Sequence, residues 1–221
     1  MPHLHRPRAI AAAISCIVLA GALAGGAAYA VAPEAAFESA FQTFNAALAG
    51  NESAIDKAAD AFNALLAADP TNPVLMAYAG AATTMKAGAT MLPWKKMSYA
   101  DDGLAQIDKA LAMLTPASDA PIQHGTPGTL EVKFTAANTF LAVPGFLNRG
   151  ARGAKLLSEV LASPLFAGSP LGFKGDVWMR AAQLAGKEKR EEDAKKFLNE
   201  IIAQKAPQAD AARAKLKELA Q

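Results

Sequence analysis

The stretch from Ala58 to Gly80 reads AADAFNALLAADPTNPVLMAYAG and contains the strongest structural signal in the chain. The aromatic residue Phe62 follows Ala58 at a spacing of four, and a leucine pair follows three positions later, so these side chains share one helical face. Pro70 ends that helix, and Pro73 is suited to the first turn of another. The stretch predicts two consecutive helices joined by a short turn.

The same periodicity continues along the chain after residue 32. Alanine dominates the composition, and clusters of proline, glycine and asparagine separate the periodic segments. The sequence predicts an all-α fold with helices at about 33–49, 53–68, 73–91, 100–114, 128–142, 148–162, 171–185, 188–204 and 207–220.

Two weaker copies of the opening pattern follow. Each has a small residue, a large apolar residue four positions later, further apolar residues, and then a proline; they begin at Gly103 and at Ala194. The small residue permits a close approach between two helices. The copies are separated by two insertions, Leu92–Asp102 and Ala117–Thr129, which break a regular period.

This layout resembles the second helix of a tetratricopeptide (TPR) repeat followed by the first helix of the next, with Gly80 at the family's small position. The resemblance implies stacked antiparallel hairpins whose groove binds other proteins. Because of the insertions, the expected fold is a TPR-like irregular α-solenoid. An unrelated helical bundle is the alternative.

The N-terminus predicts export. A basic start is followed by a stretch without charge from Ala9 to Ala32, and Ala28-Tyr29-Ala30 has the small-x-small pattern of a cleavage site. Residues 1–30 are predicted to be a signal peptide and residues 31–221 a single periplasmic or otherwise exported domain. The alternative is an uncleaved inner-membrane anchor with the domain outside the cytoplasm.

Removal of residues 1–30 eliminates several function classes. The chain has 22 Lys and Arg against 20 Asp and Glu, and Arg6 and Arg8 lie in the predicted signal, so the remainder is neutral. Neutrality argues against nucleic acid as a partner, and against a membrane partner other than through an uncleaved N-terminal segment. Cys16 is also removed and His124 is the one histidine left, which argues against a thiol nucleophile or a multi-histidine metal site.

The remaining reactive groups predict a protein that is not an enzyme and has no cofactor. No acid is expected to lie against an apolar cluster that would raise its pKa for general acid catalysis. A Ser-His-Asp arrangement would need His124, which lies in a Pro/Gly-rich connection. Met85, Met91 and Met97 do not share a helical face and are expected to fill gaps in the core.

The first predicted contact site is the interrupting segment Met91–Tyr99. It combines bulky aromatic residues with adjacent cations, which suit a protein interface; its candidate binding residues are Trp94, Lys95, Lys96 and Tyr99. The alternative is that Trp94 and Met97 close the end of the core while the lysines are solvated.

A second predicted contact site lies further along. Asn138 shares a helical face with apolar residues, and by the TPR resemblance it could hydrogen-bond a peptide backbone; alternatively it braces a neighbouring helix. Arg149 and Arg152 lie one turn apart and could receive a carboxylate, or could simply be solvated.

These observations favour a non-catalytic scaffold or adaptor of the bacterial envelope that binds another envelope protein or a peptide segment. A second hypothesis is a binding protein for a small apolar molecule or lipid, accessory to a transport system. Its cavity would be lined by Phe134, Phe140, Phe146, Phe166, Phe173 and Trp178. A third, an envelope hydrolase, requires two carboxylates facing each other across a cleft.

Overall fold

A computed structural model describes residues 34–219, and the predicted signal segment lies outside these residues. The helices are α1 Glu34–Leu48, α2 Ser53–Ala68, α3 Pro73–Ala89, α4 Pro93–Ala112, α5 Gly128–Ala142, α6 Gly150–Ala162, the short α7 Pro164–Ala167, α8 Leu171–Lys187, α9 Glu191–Ala203 and α10 Ala209–Leu219. Residues 34–219 form no strand. The predicted all-α class is confirmed.

The junction between α2 and α3 follows directly from its local sequence. Asn72 caps α3, because its side-chain oxygen accepts hydrogen bonds from the Val74 and Leu75 backbone amides at 3.0 and 3.3 Å. Its amide group donates to Asp69 at 3.0 Å. Pro73 then occupies the first helical position. The predicted end of α2 at residue 68 and the predicted start of α3 at residue 73 are both confirmed.

Most helices pack against their neighbours in sequence. The chain of contacts runs from α1 through α2 and α3 to α4; α5 packs on α3, α4 and α6, and α8 packs on α6 and α9. One hydrophobic cluster extends through these helices, with fully buried side chains that include Phe37, Phe62, Ile107, Phe140, Val160 and Ile201. No helix within the described range has the length and apolarity needed to cross a bilayer.

The start of α4 differs from the sequence prediction. The segment 92–102, expected to be an insertion, is helical from Pro93 onward. Proline breaks a helix in its interior, but at the first helical position its missing amide costs nothing and its fixed φ favours the helix. Trp94 to Tyr99 therefore lie on the first turns of a helix. The second insertion contains two short 3₁₀ turns, Pro116–Asp119 and Gln123–Gly125, before α5 begins.

The helices α3 and α4 cross at two glycines. A Cβ on Gly80 would lie 2.7 Å from the Gly103 carbonyl oxygen, and a Cβ on Gly103 would lie 2.5 Å from the Gly80 carbonyl oxygen. Such distances are too short for carbon against oxygen, so the backbones touch here only because neither residue has a side chain. The close approach predicted at Gly103 is confirmed.

Candidate ligand-binding cavity

A cavity of about 1000 Å³ lies between α1, α3, α5 and α8, with α4 at its edge, and opens to solvent on one side. Most of its wall is apolar. The aromatic and sulfur-containing side chains on the wall are Phe41, Phe44, Tyr78, Met85, Met97, Phe134, Phe146, Phe173 and Met179. Polar and charged groups are concentrated on α5 and α8.

A packed aromatic cluster fixes the wall formed by α1 and α3. The Tyr78 ring stacks on Phe62 with centroids 4.8 Å apart, and it meets Phe37, Phe41 and Phe44 edge to face at 5.7, 5.7 and 5.1 Å. Such edge-to-face geometry adds to the stabilisation from buried area. The Tyr78 hydroxyl is thereby held in one place at the cavity wall.

Glu131 on α5 is a buried acid at that wall, only 6 % exposed. The Tyr78 hydroxyl donates a 2.5 Å hydrogen bond to its Oε1 atom. Burial raises the pKa of Glu131 from its ordinary 4.5 to about 7, although hydrogen bonds from Tyr78 and Thr126 oppose the rise. Burial and the nearby Glu131 charge also raise the pKa of Tyr78 well above its ordinary range. The expectation that no acid lies against an apolar cluster is therefore wrong.

Asp176 and Arg180 lie four residues apart on α8 and both line the cavity. Asp176 accepts a 2.7 Å hydrogen bond from the Gln208 side-chain amide. Partial loss of hydration raises the pKa of the Asp176 carboxyl. The charge of Asp176 in turn contributes to the raised pKa of Glu131. The two carboxyl groups on the cavity wall are therefore close enough for the charge of Asp176 to act on Glu131.

Arg180 brings a cation to the same wall. Its Nη2 atom donates to the Asn138 carbonyl oxygen at 2.9 Å, and Nη1 donates to Gln183 at 3.3 Å. The Nε atom is buried without a hydrogen-bond partner in the described part of the chain. Burial lowers the pKa of this guanidinium. Arg180 therefore places a half-buried cation on the wall of the cavity that also holds the two acids.

His124 also lines the cavity, on the loop before α5. Its ring lies against Phe37 and Phe41 at centroid distances of 5.3 and 5.0 Å, and its Nε2 atom is 3.3 Å from Glu38. The contacts pin this loop to α1. Among residues 34–219, no three histidine, cysteine or acidic side chains converge on a position that a metal ion could occupy.

The first predicted contact site is exposed and adjoins the cavity. Trp94 is 68 % exposed and Met97 44 % exposed, so the alternative in which these two residues close the core is wrong. Lys96 and Met97 line the cavity, and Lys95 is exposed beside them. Tyr99 is half-buried, with the Lys86 ammonium 5.0 Å from its ring centroid.

The second predicted contact site divides into two unconnected parts. Asn138 lines the cavity, but Arg149 and Arg152 bind Asp108 of α4 instead of facing it. Arg149 lies 2.9 Å from the Asp108 carboxylate, and both guanidinium groups stack over Phe140 at 5.3 and 5.2 Å. The carboxylate that these arginines were expected to receive is supplied by the chain itself.

Of the six aromatic residues predicted to line a cavity, three do so and three are buried in the core. Phe134, Phe146 and Phe173 line the cavity. Phe140, Phe166 and Trp178 are 0, 7 and 8 % exposed, and they belong to the core instead. Sequence reasoning also missed Glu131 and Asp176. A signal for Glu131 was present, because Glu131, Phe134, Thr135 and Asn138 follow helical spacing and all line the cavity.

The pairing of Asp108 with two arginines predicts a modest stabilisation of α6 against α4. We expect Asp108→Asn to lower the free energy of unfolding by about 1 kcal/mol, because the ion pairs are only partly buried. Urea denaturation measures the change. Asp101→Asn, on the exposed side of the same helix, is the control. Equal midpoints for both variants would show that the ion pairs contribute nothing.

Comparison with known proteins gives no relative: the chain matches no protein-family model, no curated protein and no solved structure.

Proposed function

We propose that this protein is a non-catalytic binding protein for a small amphipathic molecule such as a lipid. The cavity carries this proposal, because its mostly apolar wall also holds charged groups, of which Glu131 is buried. Its volume of about 1000 Å³ corresponds to the upper end of the range for ligand sites. The ligand's apolar body would lie among the phenylalanine and methionine side chains, with its polar group toward Glu131, Asp176 and Arg180.

The cost of burying a carboxyl supports a ligand site over an accidental cleft. The surrounding helices are well packed, since the core continues through Phe37, Phe62 and Phe140 without exposure. Burial of a carboxyl such as Glu131 opposes folding unless its partners offset the loss of hydration. A buried acid on the wall of a large, mostly apolar cavity is typical of a functional site.

Blocking the cavity tests the proposal. The apolar fluorophore N-phenyl-1-naphthylamine is titrated into the purified protein, and its emission reports entry into a dry site. Ala87 lines the cavity on α3, so we expect Ala87→Trp to fill it and weaken binding by about tenfold or more. Ala203→Trp, at an exposed position on α9, should bind as the wild type does. Equal affinities for all three proteins, with unchanged melting temperatures, would contradict a ligand site here.

An adaptor function is the second candidate, and the open side of the cavity favours it. An apolar segment of another envelope protein could lie along that side, beside Asn138. The packing of consecutive helices supports, within this proposal, a TPR-like irregular solenoid of antiparallel hairpins. A photo-crosslinking residue at Gln183 separates the two functions: a cross-linked species larger by the mass of a protein indicates an adaptor, and a lipid-sized adduct indicates the binding protein.

A hydrolase has one observation in its favour. The cavity brings together two carboxylates, Glu131 and Asp176, as a hydrolase of the predicted kind requires. Turnover of candidate envelope substrates that is lost in Asp176→Asn would establish this function. Binding without turnover supports the non-catalytic proposal.

We also propose that the protein acts outside the cytoplasm, in the periplasm, after removal of residues 1–30. The basic start, the uncharged stretch and the Ala28-Tyr29-Ala30 pattern support this proposal. Terminal sequencing of the protein from a periplasmic extract tests it. A mature chain that still begins at the N-terminal basic residues would indicate an anchor instead.

A further inference from the structure

Three of the large hydrophobic side chains exposed on the described surface line the cavity, and three more lie close in sequence to one of them. Leu48, Met97 and Phe146 line the cavity and are 59, 44 and 69 % exposed. Three more precede Met97 in sequence: Met91 and Leu92 at the turn between α3 and α4, and Trp94 in the first turn of α4. We call these six side chains the rim. Within residues 34–219, the rim includes every exposed large hydrophobic side chain that the structure records.

We propose that the rim docks onto an anionic lipid bilayer, so that the cavity opens toward the membrane surface. This inference rests on the proposed function, because docking would let an amphipathic ligand pass between the bilayer and the cavity. Exposed apolar clusters of this kind mark protein or membrane contacts.

The shape of the rim favours a bilayer over a protein groove-binder. Its side chains come from the end of α1, the turn before α4, the start of α4, and the 3₁₀ turn Gly145–Leu147 after α5. Because they are exposed on separate elements, a soft surface can accept them more readily than a groove of fixed shape. Trp94 has the ring and N–H group that suit the polar–apolar boundary of a bilayer.

The charge beside Trp94 favours anionic headgroups. Lys95 and Lys96 follow it directly, and neither takes part in an ion pair recorded within residues 34–219. The first acids further along α4, Asp101 and Asp102, lie one to two turns away, and Asp102 accepts a hydrogen bond from Ser98 at 3.1 Å. Cations beside an interfacial tryptophan strengthen attraction to anionic lipid.

Vesicle binding tests docking without any cavity ligand. The purified protein is sedimented with vesicles of phosphatidylcholine, alone or mixed with equal parts of phosphatidylglycerol. We expect binding to the anionic vesicles, weakened by about tenfold in Lys95→Glu/Lys96→Glu and severalfold in Trp94→Ala, with unchanged melting temperatures. The control Lys57→Glu/Lys196→Glu makes the same charge change at exposed positions on α2 and α9 and should bind as the wild type does. All variants share the same N-terminal residues, so differences among them report on the rim.

Tryptophan emission gives a second measurement. Trp178 is 8 % exposed and serves as a constant background, so a blue shift on anionic vesicles reports insertion of Trp94 and should vanish in Trp94→Ala. If the wild type does not bind vesicles, or if the control variant loses as much binding as the rim variants, the inference is overturned. In that case, loss of the protein cross-linked at Gln183 when the rim is changed would show that a partner protein covers the mouth of the cavity. If the wild-type protein binds the fluorophore but not the vesicles, membrane docking is refuted and the cavity function stands. If it binds the vesicles but not the fluorophore, the cavity function is refuted and membrane docking stands.

Discussion

Replacement of Gly103 by alanine is expected to lower the free energy of unfolding by about 1 to 2 kcal/mol, once the gain in helix propensity is subtracted from the steric cost. The new methyl group would lie 2.5 Å from the Gly80 carbonyl oxygen and would also meet the Thr84 hydroxyl and backbone amide. Two of these neighbours are backbone atoms of α3, which cannot rotate away as the end of a side chain can. Relief therefore requires the two helices to separate.

Helix propensity opposes this effect but is smaller. Alanine in place of glycine within a helix contributes about 1 kcal/mol of stabilisation, whereas overpacking in a well-packed core costs about 1 to 3 kcal/mol and more where backbone must move. The steric cost is expected to win at this crossing. Gly80→Ala should behave similarly, since its methyl group would lie 2.7 Å from the Gly103 carbonyl oxygen.

Gly88 provides the matched control on α3, because a Cβ there meets nothing within 4 Å. Gly88→Ala should therefore stabilise the protein by up to about 1 kcal/mol. Urea denaturation and thermal melting measure all variants. The double variant Gly80→Ala/Gly103→Ala should cost less than the sum of the single changes, because one separation of the helices relieves both contacts. A Gly103→Ala protein as stable as Gly88→Ala would contradict the close crossing.

The parts of the fold predicted from sequence are those with local causes. The α2–α3 junction depends on Asn72 and Pro73, whose capping and φ restraint act within one turn. The predicted start of α4 was wrong because proline has opposite effects in the interior of a helix and at its first position. Pro93 breaks a helix in its interior but favours one at its start.

The cavity could not be predicted in the same way, because its polar groups depend on distant residues. The hydrogen-bond partner of Glu131 is Tyr78, 53 residues earlier, and Asp176 is bound by Gln208, 32 residues later. Helical spacing identifies the face that carries Glu131 but does not reveal what faces it. The exposure of Trp94 likewise depends on how α4 packs against α3.

The stability of this protein is expected to fall as the pH rises from about 5 to about 8, and Glu131 is expected to be a main cause. Its pKa is about 7 in the folded protein and has the ordinary value of 4.5 once the chain unfolds. Between these values the folded protein retains a proton that the unfolded chain has lost. Folding is therefore favoured at the acidic end of this window, and the advantage is lost as the pH rises through about 7.

Glu131→Gln removes this contribution. The glutamine keeps an oxygen for the Tyr78 hydroxyl but cannot ionise, so between about pH 5 and about pH 8 the variant should lose about 2 to 3 kcal/mol of the pH dependence shown by the wild type. Urea denaturation at about pH 5 and about pH 8 gives the difference for each protein. Comparison of the two differences cancels the groups common to both, including Asp176, whose raised pKa acts in the same direction.

Tyr78→Phe provides an opposite change at the same site. Its hydroxyl donates to Glu131 and thereby lowers the pKa of the carboxyl, so its removal should raise that pKa and extend the pH-dependent window to higher pH. Carboxyl carbon shifts of labelled glutamate, followed by NMR, report the titration directly. The same pH dependence in the wild type and in Glu131→Gln would show that Glu131 is solvated. A shift to lower pH in Tyr78→Phe would contradict the hydrogen bond that joins α3 to α5 at the cavity wall.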